Sequence, residues 1–170
     1  MMKRNISLIM LCMVTSSLAW AVDVVRNPVA RKQSVMVFVS LSMPRQSLIA
    51  LLRDANKIKA SVIMRGLVHD SFKETVQEIA SLVKEADSGG IALDPLAFKK
   101  FHIETVPAVV VVSPDHPCLM QQHCDRHRDY DVMFGNIPLS AALKEIRDRG
   151  VAASDEARHA FDLLQEGAYV

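Results

Sequence analysis

Cysteine is scarce in this chain. There are three in 170 residues, Cys12, Cys118 and Cys124, and no two of them have the Cys-x-x-Cys spacing of a redox motif. The stretch "VFVSLSMPRQSL" from Val37 runs from an apolar segment into a helical pattern, a place where many redox enzymes carry two cysteines. Here the turn holds Ser40, Ser42 and Pro44 instead. Thiol–disulfide exchange needs a thiolate at an exposed, electropositive position such as a helix start. The thioether of Met43 cannot serve, so that chemistry is excluded at this turn. A charge excess is also lacking: 20 Lys and Arg face 19 Asp and Glu, a net +1. A nucleic-acid binder is normally clearly basic with clustered cations, so the composition gives no direct nucleic-acid partner. A glycine-rich phosphate loop is missing, because Gly89-Gly90 has neither the strand-then-helix context nor the lysine. Internal repeats and low-complexity tracts are absent. The nine methionines are scattered, which suits packing and not a metal-binding box.

The one strongly apolar stretch lies at the start. Lys3 and Arg4 precede "ISLIMLCMVTSSLA", and Ala19-Trp20-Ala21 follows. A positive region, a short apolar core and an A-x-A site read as a cleavable secretory signal over residues 1–21, cut between Ala21 and Val22. The apolar core falls short of the roughly 18 residues of a membrane span. Cys12 lies inside it behind Leu11, where a lipoprotein box would need a small residue. No second long apolar run follows, so stable membrane insertion is not expected and the product reads as soluble and exported. Loss of Lys3 and Arg4 takes 20 basic residues to 18 against 19 acidic, a net −1.

Export leaves Cys118 and Cys124, an even number in an oxidising compartment, which favours a disulfide. His116, His123 and His127 stand close in sequence, so zinc or copper ligation is the rival. Five residues separate the cysteines, whereas zinc sites favour two to four. A disulfide across a polar loop is the simpler account, and no metal or cofactor is assigned.

Residues 22–34 are polar, aperiodic and contain Pro28, and read as an arm. Val35 to Val39 is a valine-rich run without alternation, as in a strand buried on both faces. Leu48, Ile49, Leu51, Leu52, Ala55 and Ile58 then follow the helical period, with Pro44 in the first turn and Ser42 as a cap. Ser61 to Met64 reads as a strand. Ser71 and Glu74 form a capping box for a helix that runs through Phe72, Val76, Ile79, Ala80 and Val83 to about Ala86 and stops at Gly89-Gly90. Asp94-Pro95 opens a short helix carrying Phe98 and Phe101. Ala108 to Val112 is the most strand-like run, with Pro107 before it. Residues 114–129 read as a long polar loop, "YDVMFGN" as a partner strand, and "IPLSAALKEIRDRG", with Leu139, Ala142, Leu143 and Ile146 at the helical period, as a helix ended by a C′ glycine, Gly150. Residues 151–170 form a tail with a helical stretch. The order β-α-β-α, then β-β-α, predicts an α/β domain over residues 35–150 on the thioredoxin plan without its redox motif. In that plan the proline before the third main strand is cis and faces the turn that starts the first helix.

"VFVSLSMP", "RGL…SFKET" and "ALDPLAFKKFHIETVPAVVVV" resemble the TrbC proteins of F-type conjugative transfer systems, over roughly residues 35–137. The resemblance implies a periplasmic, non-enzymatic factor for assembly of the conjugative pilus, working with other transfer proteins, notably of the TraW type. It offers no catalytic residues. It points to Ser40, Ser42, Met43, Pro44, Val106 and Pro107 as the characteristic surface. In thioredoxin-like proteins the groove between this turn and the cis proline binds extended peptides, and the residue before the proline offers backbone hydrogen bonds. Leu41, Met43 and Val106 are candidates for apolar contact in such a groove, or they simply complete the core. A serine nucleophile would need a positioned base, and the bland role of Ser40 and Ser42 is turn formation. The rival functions are a thiol oxidoreductase using Cys118 and Cys124, and a periplasmic chaperone for pilin.

Overall fold

The computed structural model describes residues 34–166. The signal segment, its cut between Ala21 and Val22, nearly all of the 22–34 arm and the last four residues lie outside the described residues. The elements run β1 (Val35–Val39), α1 (Arg45–Lys57), β2 (Ser61–Met64), α2 (Phe72–Ala86), β3 (Ala92–Leu93), α3 (Pro95–Lys100), β4 (Ala108–Val112), β5 (Tyr130–Phe134), α4 (Leu139–Arg149) and α5 (Ser154–Glu166). A 3-10 turn, Pro117–Met120, sits between β4 and β5. The five strands form one mixed sheet in the order β3-β2-β1-β4-β5. β1, β2 and β3 are parallel, while β4 is antiparallel to β1 and to β5.

The valine runs explain the centre of this α/β structure. Every residue of β1 and β4 is buried, which requires cover on both faces because successive side chains alternate. Val35, Val37, Val39, Val109 and Val111 share one core with Leu48 and Leu52 of α1, Leu82 of α2, and Leu139 and Leu143 of α4. Burial of each such side chain contributes about 1.5–3 kcal/mol. Phe38, Ala108, Val110 and Val112 face the other way, against Phe98 and Phe101 at α3 and Tyr130 of β5. Few aromatics are present, and four of them meet here edge to face: Phe38–Phe98 at 4.9 Å, Phe38–Phe101 at 6.1 Å and Phe101–Tyr130 at 5.1 Å between centroids. The Tyr130 hydroxyl donates to the Phe101 carbonyl at 2.6 Å, so its burial leaves no unpaired donor.

Helix ends follow the sequence in some places and depart from it in others. Asp94 Oδ1 accepts from the Leu96 and Ala97 amides, both at 3.0 Å, as its place before Pro95 predicts. Half of the capping box forms: Ser71 Oγ accepts from the Glu74 amide, but the Glu74 carboxylate turns to His69 instead of reaching back. α2 ends at Asp87 in the left-handed conformation, before the Gly89-Gly90 pair. The helix also turns Thr75, Leu82 and Ala86 inward and leaves Phe72 and Val76 exposed. Thr75 suits that place because its hydroxyl accepts from the Val68 amide and donates to the Ser71 carbonyl.

A buried carboxylate joins the last three elements. Asp131 of β5 accepts from the amides of Val151, Ala152 and Ala153, at 3.1, 2.8 and 2.8 Å. These groups lead into α5, whose Ala157, Ala160 and Leu164 join the α1 and α4 core. Gly150 lies where α4 ends, with φ −66°, so no left-handed turn calls for glycine there. Space does: a Cβ would press on the Ile146 carbonyl and stand 2.8 Å from Asp131 Oδ2. Replacing Asp131 by Ala strands three amide donors, that of Ala153 buried and those of Val151 and Ala152 part-buried, whose bonds to a charged acceptor are each worth about 1.5–3 kcal/mol. Asp131→Ala is therefore expected to lower unfolding free energy by at least about 3 kcal/mol in urea, with Asp131→Asn in between. A change under about 0.5 kcal/mol would remove this carboxylate from the account.

Candidate functional site

The antiparallel pairing of β1 with β4 sets Phe38 opposite Ala108. The chain leaving β1 and the chain entering β4 therefore lie at the same end of the sheet. That brings the Ser40–Pro44 turn beside Val106 and Pro107. The Val106–Pro107 peptide is cis. β2 runs parallel to β1, so its following loop, Arg65 to His69, reaches the same end. Clefts beyond the carboxyl ends of parallel strands are habitual binding places. Here the cleft is a groove of about 850 Å³. Ser40, Leu41 and Ser42 form one side. Arg65 to His69 and the α2 residues Glu74, Gln77 and Glu78 form another, and Phe98, Glu104 and Val106 complete it. Neither the N–H nor the C=O of Val106 bonds to any described residue.

Within the turn the two serines serve each other. Ser40 Oγ and Ser42 Oγ are 2.9 Å apart, the Ser42 amide points to Ser40 Oγ at 3.3 Å, and the Met43 amide donates to the Ser40 carbonyl at 3.0 Å. Ser42 does not cap α1. Pro44 is the capping residue, two positions after Ser42, and α1 begins at Arg45 with no side-chain cap. The reason is local: the Ser42 hydroxyl is taken by Ser40. Ser40, Leu41, Ser42 and Val106 line the groove, whereas Met43, Pro44 and Pro107 do not. Met43 is half-buried against the helical core and Pro107 is buried.

Charge in the groove is unevenly partnered. Arg45 reaches from α1 to α2, donating from Nη1 to Glu78 at 2.6 Å and from Nη2 to Glu85 and Ser81, both at 2.8 Å. These bonds, Glu85 foremost, hold the guanidinium above its ordinary pKa. Arg65 lies over the Phe98 ring, 5.4 Å from its centroid. His69 Nδ1 meets Glu74 Oε2 at 3.0 Å. A histidine oriented by a carboxylate is two-thirds of a serine-hydrolase arrangement. The remaining bond is missing, because neither serine bonds to His69 and the imidazole side chain is 85% exposed. Glu104 is exposed and has no partner among the described residues.

Cys118 and Cys124 are joined in a disulfide with their Cα atoms 5.2 Å apart. The sequence suggested a staple on a polar loop. The structure buries both sulfur residues, 1% and 0% exposed, in the core with Phe101 and Tyr130. Polar residues on either side hid that burial. Lys100 Nζ donates to the Leu119 carbonyl at 2.8 Å and the Cys124 amide to the Lys100 carbonyl at 3.0 Å, which draws the loop onto α3. His116 Nδ1 accepts the Cys118 amide, and its Nε2 is 3.9 Å from Asp129 Oδ1. Donor atoms of His116, Cys118 and Asp129 lie within 4.8 Å of one another, but the sulfur is in the disulfide. His123 does not join them and stacks on His102 at 5.8 Å. Asp129 is buried, and no feature of the sequence marked it. The Arg128 guanidinium first, and then the Asp125 amide, lower its pKa to about 2.

A family model described as type-F conjugative transfer system pilin assembly protein matches residues 37–146. Among curated proteins, periplasmic protein TrbC of Escherichia coli (strain K12) is 32% identical over 134 residues, which make up 78% of this chain and 55% of that protein. The chain thus spans about half the length of that relative. No solved structure matches it. Among the described residues no helix is long and apolar enough to cross a membrane.

Two measurements follow from the loop. Thiol counting on denatured, unreduced chain starting at Val22 should find none, and two titratable thiols would contradict the disulfide. The Asp129 carboxyl titrates lower folded than unfolded, so its stabilisation is complete above about pH 4. It is lost as pH falls towards about 2. Acid unfolding of Asp129→Asn should lose that component, and an unchanged profile would exclude it.

Proposed function

We propose, because the chain belongs to the family of type-F conjugative transfer system pilin assembly proteins, that it is a periplasmic pilus-assembly factor acting through protein contacts and not through catalysis. Its domain is read as thioredoxin-like, with the groove at the β1–α1 turn holding an extended segment of a transfer protein, one of the TraW type foremost. The observation that carries this reading is the meeting of that turn with the cis Val106–Pro107 corner, where the Val106 backbone is left unpaired above a groove. A free N–H and C=O at such a corner suit pairing with a strand-like ligand, which satisfies groups that otherwise depend on water.

Geometry supports the non-catalytic reading as well. A disulfide exchanges when a thiolate reaches one of its sulfurs, and here both half-cystines are buried. Ser40 and Ser42 bond to each other and to no base. An insulin-reduction assay should therefore give no turnover dependent on Cys118 and Cys124, and appreciable turnover would favour the oxidoreductase instead.

Ser42 and Leu67 are exposed and line the groove, so changing them should leave folding intact. Ser42→Trp and Leu67→Asp are expected to abolish co-purification of transfer proteins from cells carrying the whole transfer system. Val151→Asp, at the opposite end of the sheet and 77% exposed, should not. Normal partner recovery with both groove variants would show that contacts form elsewhere. Recovery of pilin alone would favour the chaperone role.

A further inference from the structure

The groove does not present balanced charge. Its lining includes the carboxylates of Glu74, Glu78 and Glu104 against the single guanidinium of Arg65, with His69 beside them. Four of these five groups are already engaged. Glu78 shares Arg45 with Glu85, Glu74 bonds to His69, and Arg65 rests on the Phe98 ring. Glu104 is left with no partner among the described residues. It stands two residues before Val106, whose backbone is also unpaired. An extended ligand that pairs with Val106 presents its side chains at a repeat of about 7 Å for every second residue. Glu104 lines the same groove as Val106, so a ligand seated on Val106 runs beside its carboxylate. The volume of about 850 Å³ falls among ligand-sized clefts of about 300–1,000 Å³, and Leu41 and Phe98 give it an apolar floor.

We infer that the groove selects an extended segment of a partner protein that carries a lysine or arginine among small residues, with the cation received by Glu104. The inference rests on the groove reading above and adds the chemistry of the occupant. An acidic segment or a phosphate-bearing ligand meets a surplus of carboxylate there. Complementary charge sets partner choice and approach rate more than total affinity, so a single exposed receiver has modest strength and clear sign.

The test uses the folded chain from Val22 onward and two pools of short fluorescent peptides. The pools are identical except for a fixed central lysine in one and a fixed central glutamate in the other, and their flanking positions are mixed valine, alanine, serine and threonine. Anisotropy titration should show the lysine pool binding about tenfold more tightly, combining attraction in one pool with repulsion in the other. The difference should shrink in high salt and fall to about twofold in Glu104→Gln, an exposed site whose change leaves the fold alone. Ser42→Trp should block both pools. Equal binding of the pools, blocked by Ser42→Trp, would overturn the basic-segment inference and leave the groove reading standing. A lysine preference that survives Glu104→Gln unchanged would overturn the assignment to Glu104. Binding of neither pool would overturn both the inference and the groove reading.

Discussion

The antiparallel ladder between β1 and β4 is the constraint on which the site depends. Its register, with Phe38 opposite Ala108 and Val35 opposite Val111, is held by burial on both faces. A slip by one residue would send every side chain of one strand to the wrong core. Because the ladder is fixed, so is the distance between the end of β1 and the start of β4. The Ser40–Pro44 turn and the cis Val106–Pro107 corner meet for that reason, although more than 60 residues of chain separate them. β2, parallel to β1, delivers the third wall of the groove by the same logic.

The two faces of the sheet are completed differently. Helices α1, α2, α4 and α5 cover one, and Asp131 ties the last of these to β5 through three amides. The other face has only the short α3, so the β4–β5 loop must finish it. The disulfide accounts for that choice. Closing a loop of this length limits the unfolded chain by about 2–3 kcal/mol in the entropic treatment. It also places two small apolar sulfur groups beside Phe101 and Tyr130. A chain segment full of histidine, aspartate and arginine is thereby held against a core, with its buried Asp129 satisfied by Arg128 and the Asp125 amide.

Much of this was legible in residues alone. β1, β2 and β4 fall where valine-rich or short apolar runs place them, since a strand buried on both faces needs no alternation to be seen. The order of elements and the closeness of the turn to Pro107 follow from those strands. The inward face of α2 was not legible, because Thr75 makes two hydrogen bonds that replace the hydrophobic burial expected of Phe72 and Val76. Ser42 looked like a cap because the sequence cannot show Ser40 competing for its hydroxyl. The two-residue β3 and the burial of the disulfide depend on tertiary packing, which leaves no local pattern. The place of Met43 in the turn suggests the groove, yet its side chain packs on the helical core.

The proposed role of the Ser40–Pro44 turn is that of a contact surface for a transfer protein. The most direct measurement places a photo-crosslinking side chain at position 42, and separately at position 151, in cells carrying the complete transfer system. The account predicts a covalent adduct with a transfer protein from position 42 and none from position 151. Adducts from position 151 alone would contradict it.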